Sequence, residues 1–318
     1  VTGRIRVAII NDHAGLAREA ADWSSLPDGV EVQVHAGRID DPAATLAGNA
    51  VVVTAREETR FDAALLDRLP DLRLLVTHGM NNAALDLAAL RAHGVTVCGT
   101  TLGDPSATVE LAWALILGLA RHVPAEDRAI RAGGWGAGLG RSLSGQRLGV
   151  LGLGTLGAGV ARVGLAFGME VAAWSENLTA ARCAEVGVHH VTRNALFAES
   201  DVLSIHLRFS PRSRGLVGAA EIGRMPPEAL LINTARGPIV DEAALIAALR
   251  TGTIGGAGLD VFEAEPLPLD HPLRGMPNVL LTSHVGGRTR ENLLARYRDA
   301  FEDVRAWLAG APVRVITG

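Results

Sequence analysis

Arg236, Glu265 and His284 are the residues of this sequence whose types and spacing best suit anion binding and proton transfer. Arg236 closes the run Leu230-Leu231-Ile232-Asn233-Thr234-Ala235-Arg236-Gly237, a buried-strand pattern ending in a cation. A guanidinium offers a planar pair of N–H donors that matches a carboxylate, which a lysine ammonium cannot do. An imidazole titrates near neutrality, so His284 can give a proton to a ketone oxygen or take one from a hydroxyl. A carboxylate hydrogen-bonded to such a ring fixes its tautomer and favours its protonated form, and Glu265 is the expected partner. The bland alternatives are a structural ion pair for Arg236 and a satisfied core or surface histidine for His284. Against the second stands the order Asp260, Glu265, His284 at the ends of consecutive apolar runs.

A second motif binds phosphate rather than protons. Gly152-Leu153-Gly154-Thr155-Leu156-Gly157 fits the G-x-G-x-x-G pattern, follows the apolar run 148–151 and leads into a helical pattern over 158–167. In that context Gly152 permits a tight turn and Gly154 lets a pyrophosphate approach the backbone. Gly157 lets helix and strand pack closely, and the helix N-terminus attracts the negative charge. A carboxylate that would bind the adenosine ribose is expected at the end of the next strand, where the sequence has Trp174-Ser175-Glu176. Ser175 cannot chelate two hydroxyls, yet it would not repel a 2′-phosphate; either Glu176 substitutes for the missing carboxylate or Arg182 reaches such a phosphate. NAD and NADP both stay open as cofactor, with a lean to NAD.

Composition removes competing chemistries. All 30 basic residues are arginine, so Schiff-base, pyridoxal-phosphate and Walker-type NTPase mechanisms lack their lysine. The ten histidines and two cysteines show no metal-ligand spacing, and no metal is expected. A net charge of −4 without a basic stripe argues against nucleic acid as a partner. No run is long enough to span a bilayer and nothing at the start reads as a signal peptide, so no membrane partner and a cytoplasmic location are expected.

These residues need a frame that gathers them. Apolar runs at 5–10, 30–34, 50–54, 72–77 and 95–98 alternate with helical segments such as 62–69 and 85–93. A second series runs through 147–151, 170–174, 202–205, 229–233, 256–259 and 279–282, with helices over 156–167 and 241–250. Continuous apolar strands alternating with helices indicate parallel sheets covered on both faces, hence an α/β fold of two parallel-sheet domains. A helix over 106–121 and the glycine-rich stretch 133–140, read as a loop or hinge, lie between the two series, and His189-His190 reads as a solvated turn. The last helix, about 290–308, is placed to pack back on the first domain. The division expected is 1–98 plus 289–318 for one domain and 99–288 for the other. Ligands bind beyond the carboxyl ends of such strands. The residues there form one rim: His78-Gly79, Ser175, His206, Thr234-Ala235-Arg236, Asp260 and Ser283-His284. His206 either lines an adenosine path or has no role.

Four blocks carry a resemblance: the glycine turn at 152–157, Asn233-Thr234-Ala235-Arg236-Gly237-Pro238-Ile239-Val240-Asp241, Gly258-Leu259-Asp260-Val261-Phe262-Glu263-Ala264-Glu265-Pro266 and Thr282-Ser283-His284-Val285-Gly286-Gly287. Together with 79–86, Trp135 and 204–207, they resemble the D-isomer-specific 2-hydroxyacid dehydrogenases, in feel closest to phosphoglycerate dehydrogenase-like members. The resemblance implies a Rossmann coenzyme domain inserted into a flavodoxin-like substrate domain, with a cleft between them and a homodimer formed through the coenzyme domain. It implies that a small 2-oxo or 2-hydroxy acid is the substrate. Arg236 would bind its carboxylate, His284 would act as acid and base with Glu265, and the backbone at His78-Gly79 would meet the substrate. Thr155, Leu156 and the Thr234-Ala235-Arg236 backbone would line the coenzyme, with Asp260 on its nicotinamide side. Formate dehydrogenases of the superfamily pair a glutamine with the histidine, so Glu265 favours an oxo acid. Specificity is expected from loops at 55–60, 78–82 and 100–106. The sequence departs from the family pattern at Ser175, at Ser283 and at Leu207-Arg208. A rival reading is a dinucleotide-sensing regulator of the same fold, which would have no need of the complete Arg–Glu–His set.

Overall fold

The computed structural model describes residues 4–55, 57–101, 103–136 and 138–317; Arg56, Leu102 and Ala137, in the 55–60, 100–106 and 133–140 segments singled out above, lie outside the described residues. The chain forms two compact units, one made of residues up to Asp104 together with those from Thr289, the other of Pro105–Arg288.

The first unit holds five parallel strands: β1 (Ile5–Ile9), β2 (Val30–Val34), β3 (Val51–Thr54), β4 (Leu74–Thr77) and β5 (Thr96–Gly99), in the order β2-β1-β3-β4-β5. β3 and β4 are buried at every position, which is why they read as unbroken β-branched and leucine runs rather than alternating ones. The helix Arg290–Leu308 packs on β4 and on the helix Ala17–Ala20. Tyr297 on it donates to buried Asp12 Oδ1 at 3.1 Å, and Phe301 meets Trp23 edge-on at 5.3 Å. The chain leaves this unit after Asp104, later than the expected 98/99. The side-chain amide of Asn292 accepts from Asp104 N at 2.7 Å and donates to Asp104 O at 3.1 Å, which ties this stretch to the last helix. After that helix, Val315 forms an antiparallel bridge with Cys98, so the tail borders β5, a pairing no local pattern foretold.

The second unit holds β6 (Arg147–Leu151), β7 (Glu170–Trp174), β8 (His189–His190), β9 (Val202–Ile205), β10 (Leu230–Asn233), β11 (Gly256–Leu259) and β12 (Val279–Leu281), all parallel, in the order β12-β11-β10-β9-β6-β7-β8. The order reverses direction between β6 and β9, the switch point at which such sheets bind ligands. His189-His190 is therefore not a solvated turn. Both residues pair with Ala172 and Ala173 of β7, because main-chain pairing extends the sheet edge while the two side chains stay exposed. The helix Ser106–Ala120 packs on β10, β11 and β12 and on the helix Thr155–Ala166, with Trp113 against Phe167 at 4.9 Å. A further helix, Val123–Arg131, precedes the glycine-rich stretch and buries none of its residues. Among the described residues no helix is long and apolar enough to cross a membrane.

Candidate functional site

The glycine turn sits at the switch point of the second sheet. Gly152 follows β6 with φ of +100°, a conformation side chains rarely adopt, and its N–H donates to Trp174 O at 3.0 Å. A β-carbon at Gly157 would stand 1.9 Å from Gly152 O, so the helix Thr155–Ala166 can approach the turn only with glycine there. Gly154 caps that helix and has open space on its side-chain side; it and Thr155 are exposed, and Leu156 is half-buried. The result is an accessible helix N-terminus with backbone that a pyrophosphate can approach.

Two polar atoms next to this turn support a polar ligand on the same rim. Neither His206 Nδ1 nor Thr234 Oγ1 has a hydrogen-bond partner among the described residues, and both are buried. They follow β9 and β10 at matched positions, since Ile205 pairs with Asn233. Buried polar groups normally find partners, and a coenzyme lying across the switch point would supply them. Burial pushes the His206 imidazole down to about 4, so the ring is neutral near pH 7, with Nε2 2.8 Å from Ser204 Oγ. At the end of β7, Ser175 is half-buried, Glu176 is exposed, and Arg182 is engaged with Glu185 at 2.8 Å. The residues present thus fit a dinucleotide.

Arg236, Glu265 and His284 follow the ends of β10, β11 and β12. His284 Nδ1 lies 2.6 Å from Glu265 Oε2, and Phe262 N donates to Glu265 Oε1 at 2.9 Å. Burial alone would push the Glu265 carboxyl up. The hydrogen bond and charge of His284, the Phe262 N–H and the charge of Arg236 outweigh it and hold Glu265 below the usual range. Arg236 is half-buried and its Nη1 donates to Ala235 O at 2.7 Å. The turn beneath it is closed by Asn233, whose Oδ1 accepts from Ala235 N at 3.0 Å and whose Nδ2 donates to Arg236 O at 3.0 Å. Gly237 then packs so closely on the next loop that a β-carbon would lie 2.0 Å from Phe262 O. This contact fixes the arginine turn against the loop that carries Glu265.

Asp260 is 1% exposed and its carboxylate accepts from Thr282 Oγ1 at 2.6 Å, Val285 N at 2.8 Å and Gly286 N at 2.9 Å. Asn233 and Thr282, which lie inside the arginine and histidine blocks, and Thr108, whose hydroxyl donates to Gly286 O at 3.1 Å, were missed as site residues; for Thr108 the sequence carried no signal. His78 and Gly79 belong to the first unit, at the end of β4. The His78 ring is buried edge-on to Tyr297 at 4.8 Å, and Gly79 N donates to Thr100 Oγ1 at 2.8 Å. The imidazole is thus packed inside this unit, and the Gly79 N–H is taken by Thr100.

A family model described as D-isomer specific 2-hydroxyacid dehydrogenase, NAD binding domain, matches residues 113–286. The chain belongs to this family. It is accordingly a nicotinamide-dinucleotide-dependent oxidoreductase with two parallel-sheet α/β units. It is 38% identical over 260 residues to a glyoxylate reductase of Aeropyrum pernix, covering 79% of this chain and 78% of that protein. It is 33% identical over 301 residues to a D-3-phosphoglycerate dehydrogenase of Archaeoglobus fulgidus, covering 94% of this chain but only 57% of that longer protein. Among solved structures, a phosphoglycerate oxidoreductase from Vibrio cholerae superposes with a TM-score of 0.89 at 33% identity, covering 96% of this chain and 100% of that one. The apo form of D-lactate dehydrogenase from Escherichia coli does so with a TM-score of 0.86 at 25% identity, covering 98% and 100%.

Proposed function

We propose that the protein interconverts a small 2-oxo acid and its D-2-hydroxy acid, with Arg236 holding the substrate carboxylate and His284 moving the proton. The observation that carries this reading is the 2.6 Å contact between His284 Nδ1 and Glu265, beside the charge of Arg236. Glu265 holds the Nδ1 side of the ring, and on this reading Nε2 carries the proton exchanged with substrate. In the reducing direction Nε2–H donates to the carbonyl oxygen; in the oxidising direction Nε2 accepts the hydroxyl proton. Arg236 orients the acid through its planar donors, so that the reacting carbon is presented in one pose. The nicotinamide, when bound, supplies or accepts the hydride. The glycine turn, Thr155, Leu156, His206 and the Thr234-Ala235 backbone would hold it. On this reading the first unit is the substrate domain and the second the coenzyme domain. A regulator that only senses dinucleotides would bind without turnover. The deciding experiment is a rate matrix of glyoxylate, hydroxypyruvate, a longer oxo acid and a phosphorylated oxo acid against NADH and NADPH. Turnover with at least one pair is expected; tight coenzyme binding with no oxidation anywhere overturns the reading.

Either coenzyme is accepted on this proposal, with NAD favoured, because Ser175 neither chelates the ribose nor repels a phosphate. Ser175→Asp should shift the NADH-to-NADPH preference toward NADH by about tenfold or more through repulsion of the 2′-phosphate. An unchanged ratio in the same matrix would remove Ser175 from the coenzyme site.

The segment around the helix Val123–Arg131 is the proposed homodimer surface. Trp135 is 92% and Leu139 96% exposed, with Val123 and Ile130 also exposed, large apolar side chains that a second copy of the chain would cover. Leu139→Asp should lower the mass measured by light scattering from dimer to monomer; a monomeric wild type refutes the assignment.

A further inference from the structure

We propose that Asp260 and Thr282 form a clasp that sets the position of His284, so that Thr282 is a positioning residue for proton transfer. This rests on the reading of His284 as the proton donor, and the test below separates the two.

His284 has φ of +55°, the left-handed region that residues bearing a β-carbon rarely adopt. Such a residue turns the N–H groups around it toward one point, making a small concave nest for an anion. Here the nest is filled from within the protein. Three successive N–H groups point at one residue: His284 N donates to Asp260 O at 2.9 Å, Val285 N to Oδ1 and Gly286 N to Oδ2. The hydroxyl of Thr282 adds the shortest of these bonds, 2.6 Å to Oδ1, while Thr282 N holds Leu259 O at 2.9 Å. Thr108, near the start of the helix Ser106–Ala120, closes the far side through Gly286 O. The loop carrying the imidazole is thus fastened on both sides of His284, to one buried carboxylate that ends β11. Three of the roughly four lone-pair sites of that carboxylate are engaged within the protein, so its main work is on the loop rather than on the coenzyme.

The chemistry makes this specific to a side chain whose two oxygens both accept. Asparagine has the same shape but turns an NH2 toward the amide of Val285 or of Gly286, donor against donor. A displaced loop lengthens the contact between His284 Nδ1 and Glu265, and a misplacement of about 1 Å at a reacting group can cost 10²-fold in rate.

The experiment compares wild type with Thr282→Val, Thr282→Ser and Asp260→Asn in the full chain. Two readouts are kcat at saturating reduced coenzyme and the coenzyme Kd from fluorescence quenching. A third, independent of turnover, is the downfield Nδ1–H proton resonance of His284 in histidine-labelled protein, assigned by its loss in His284→Gln. Thr282→Val should lower kcat about tenfold and Asp260→Asn about 10²-fold, with the His284 resonance shifted or broadened in both. Thr282→Ser, which keeps the hydroxyl, should restore both kcat and resonance, and the coenzyme Kd of Thr282→Val should stay within about threefold of wild type. An unmoved resonance in Thr282→Val and Asp260→Asn overturns the clasp, as does a loss confined to coenzyme Kd. If no oxo acid turns over in wild type yet the resonance moves as described, the clasp stands and the reading of His284 as proton donor falls.

Discussion

Replacing His284 by alanine should lower kcat for oxo-acid reduction by at least about 10²-fold, the usual scale for losing a positioned general acid. On the proposed reading the substitution removes the proton donor, while Glu265, already about a quarter exposed beside His284, keeps its bond from the Phe262 N–H. Coenzyme binding at the glycine turn should persist, because that turn lies after β6 and His284 after β12. The measurement is steady-state turnover at saturating coenzyme beside coenzyme titration. A kcat within about threefold of wild type would remove His284 from the chemistry. The pH dependence of the pair follows from the direction in which Glu265 is held. Its folded value lies below the ordinary range, so its stabilising contact with His284 is fully present above the ordinary glutamate range. The contact is lost only as pH falls through the lower folded value. Activity should therefore show no loss from Glu265 protonation between about pH 5 and 8.

Arg236→Lys should lower kcat/KM for an oxo acid by about 10- to 10²-fold, the worth of one to two hydrogen bonds to a charged group. Lysine keeps the charge and loses the planar fork, so the change isolates geometry from electrostatics. A carbonyl substrate without a carboxylate serves as the control and should show no such penalty. Equal kcat/KM in mutant and wild type with the oxo acid would place the substrate carboxylate elsewhere. The packing of Gly237 against Phe262 O predicts that this residue acts from a fixed turn, so the loss should fall on substrate capture rather than on folding.

Much of the frame was legible in the sequence. The unbroken runs that became β3, β4, β9 and β10 are buried on both faces, and burial on both faces is what produces such runs. The glycine turn was equally readable, because a positive φ at Gly152 and a 1.9 Å approach at Gly157 admit only glycine. The pairing of His284 with Glu265 followed from their places after consecutive runs. His189-His190 and the tail at Val315 were not readable in this way. Both are short edge pairings whose partners, Ala172-Ala173 and Cys98, are settled by main-chain geometry and not by side-chain pattern.

The sequence by itself determined most of the strands, the residues at their carboxyl ends and the chemistry those residue types can perform, since all three are written in local periodicity and local punctuation. Tertiary structure alone decided which partner each polar group took. Asp260 turned to the loop of His284, Arg182 to Glu185, and the His206 ring, its Nδ1 buried, became neutral. Those choices depend on which loops meet after folding and on how much water remains between them, and neither quantity is encoded in any short stretch of chain.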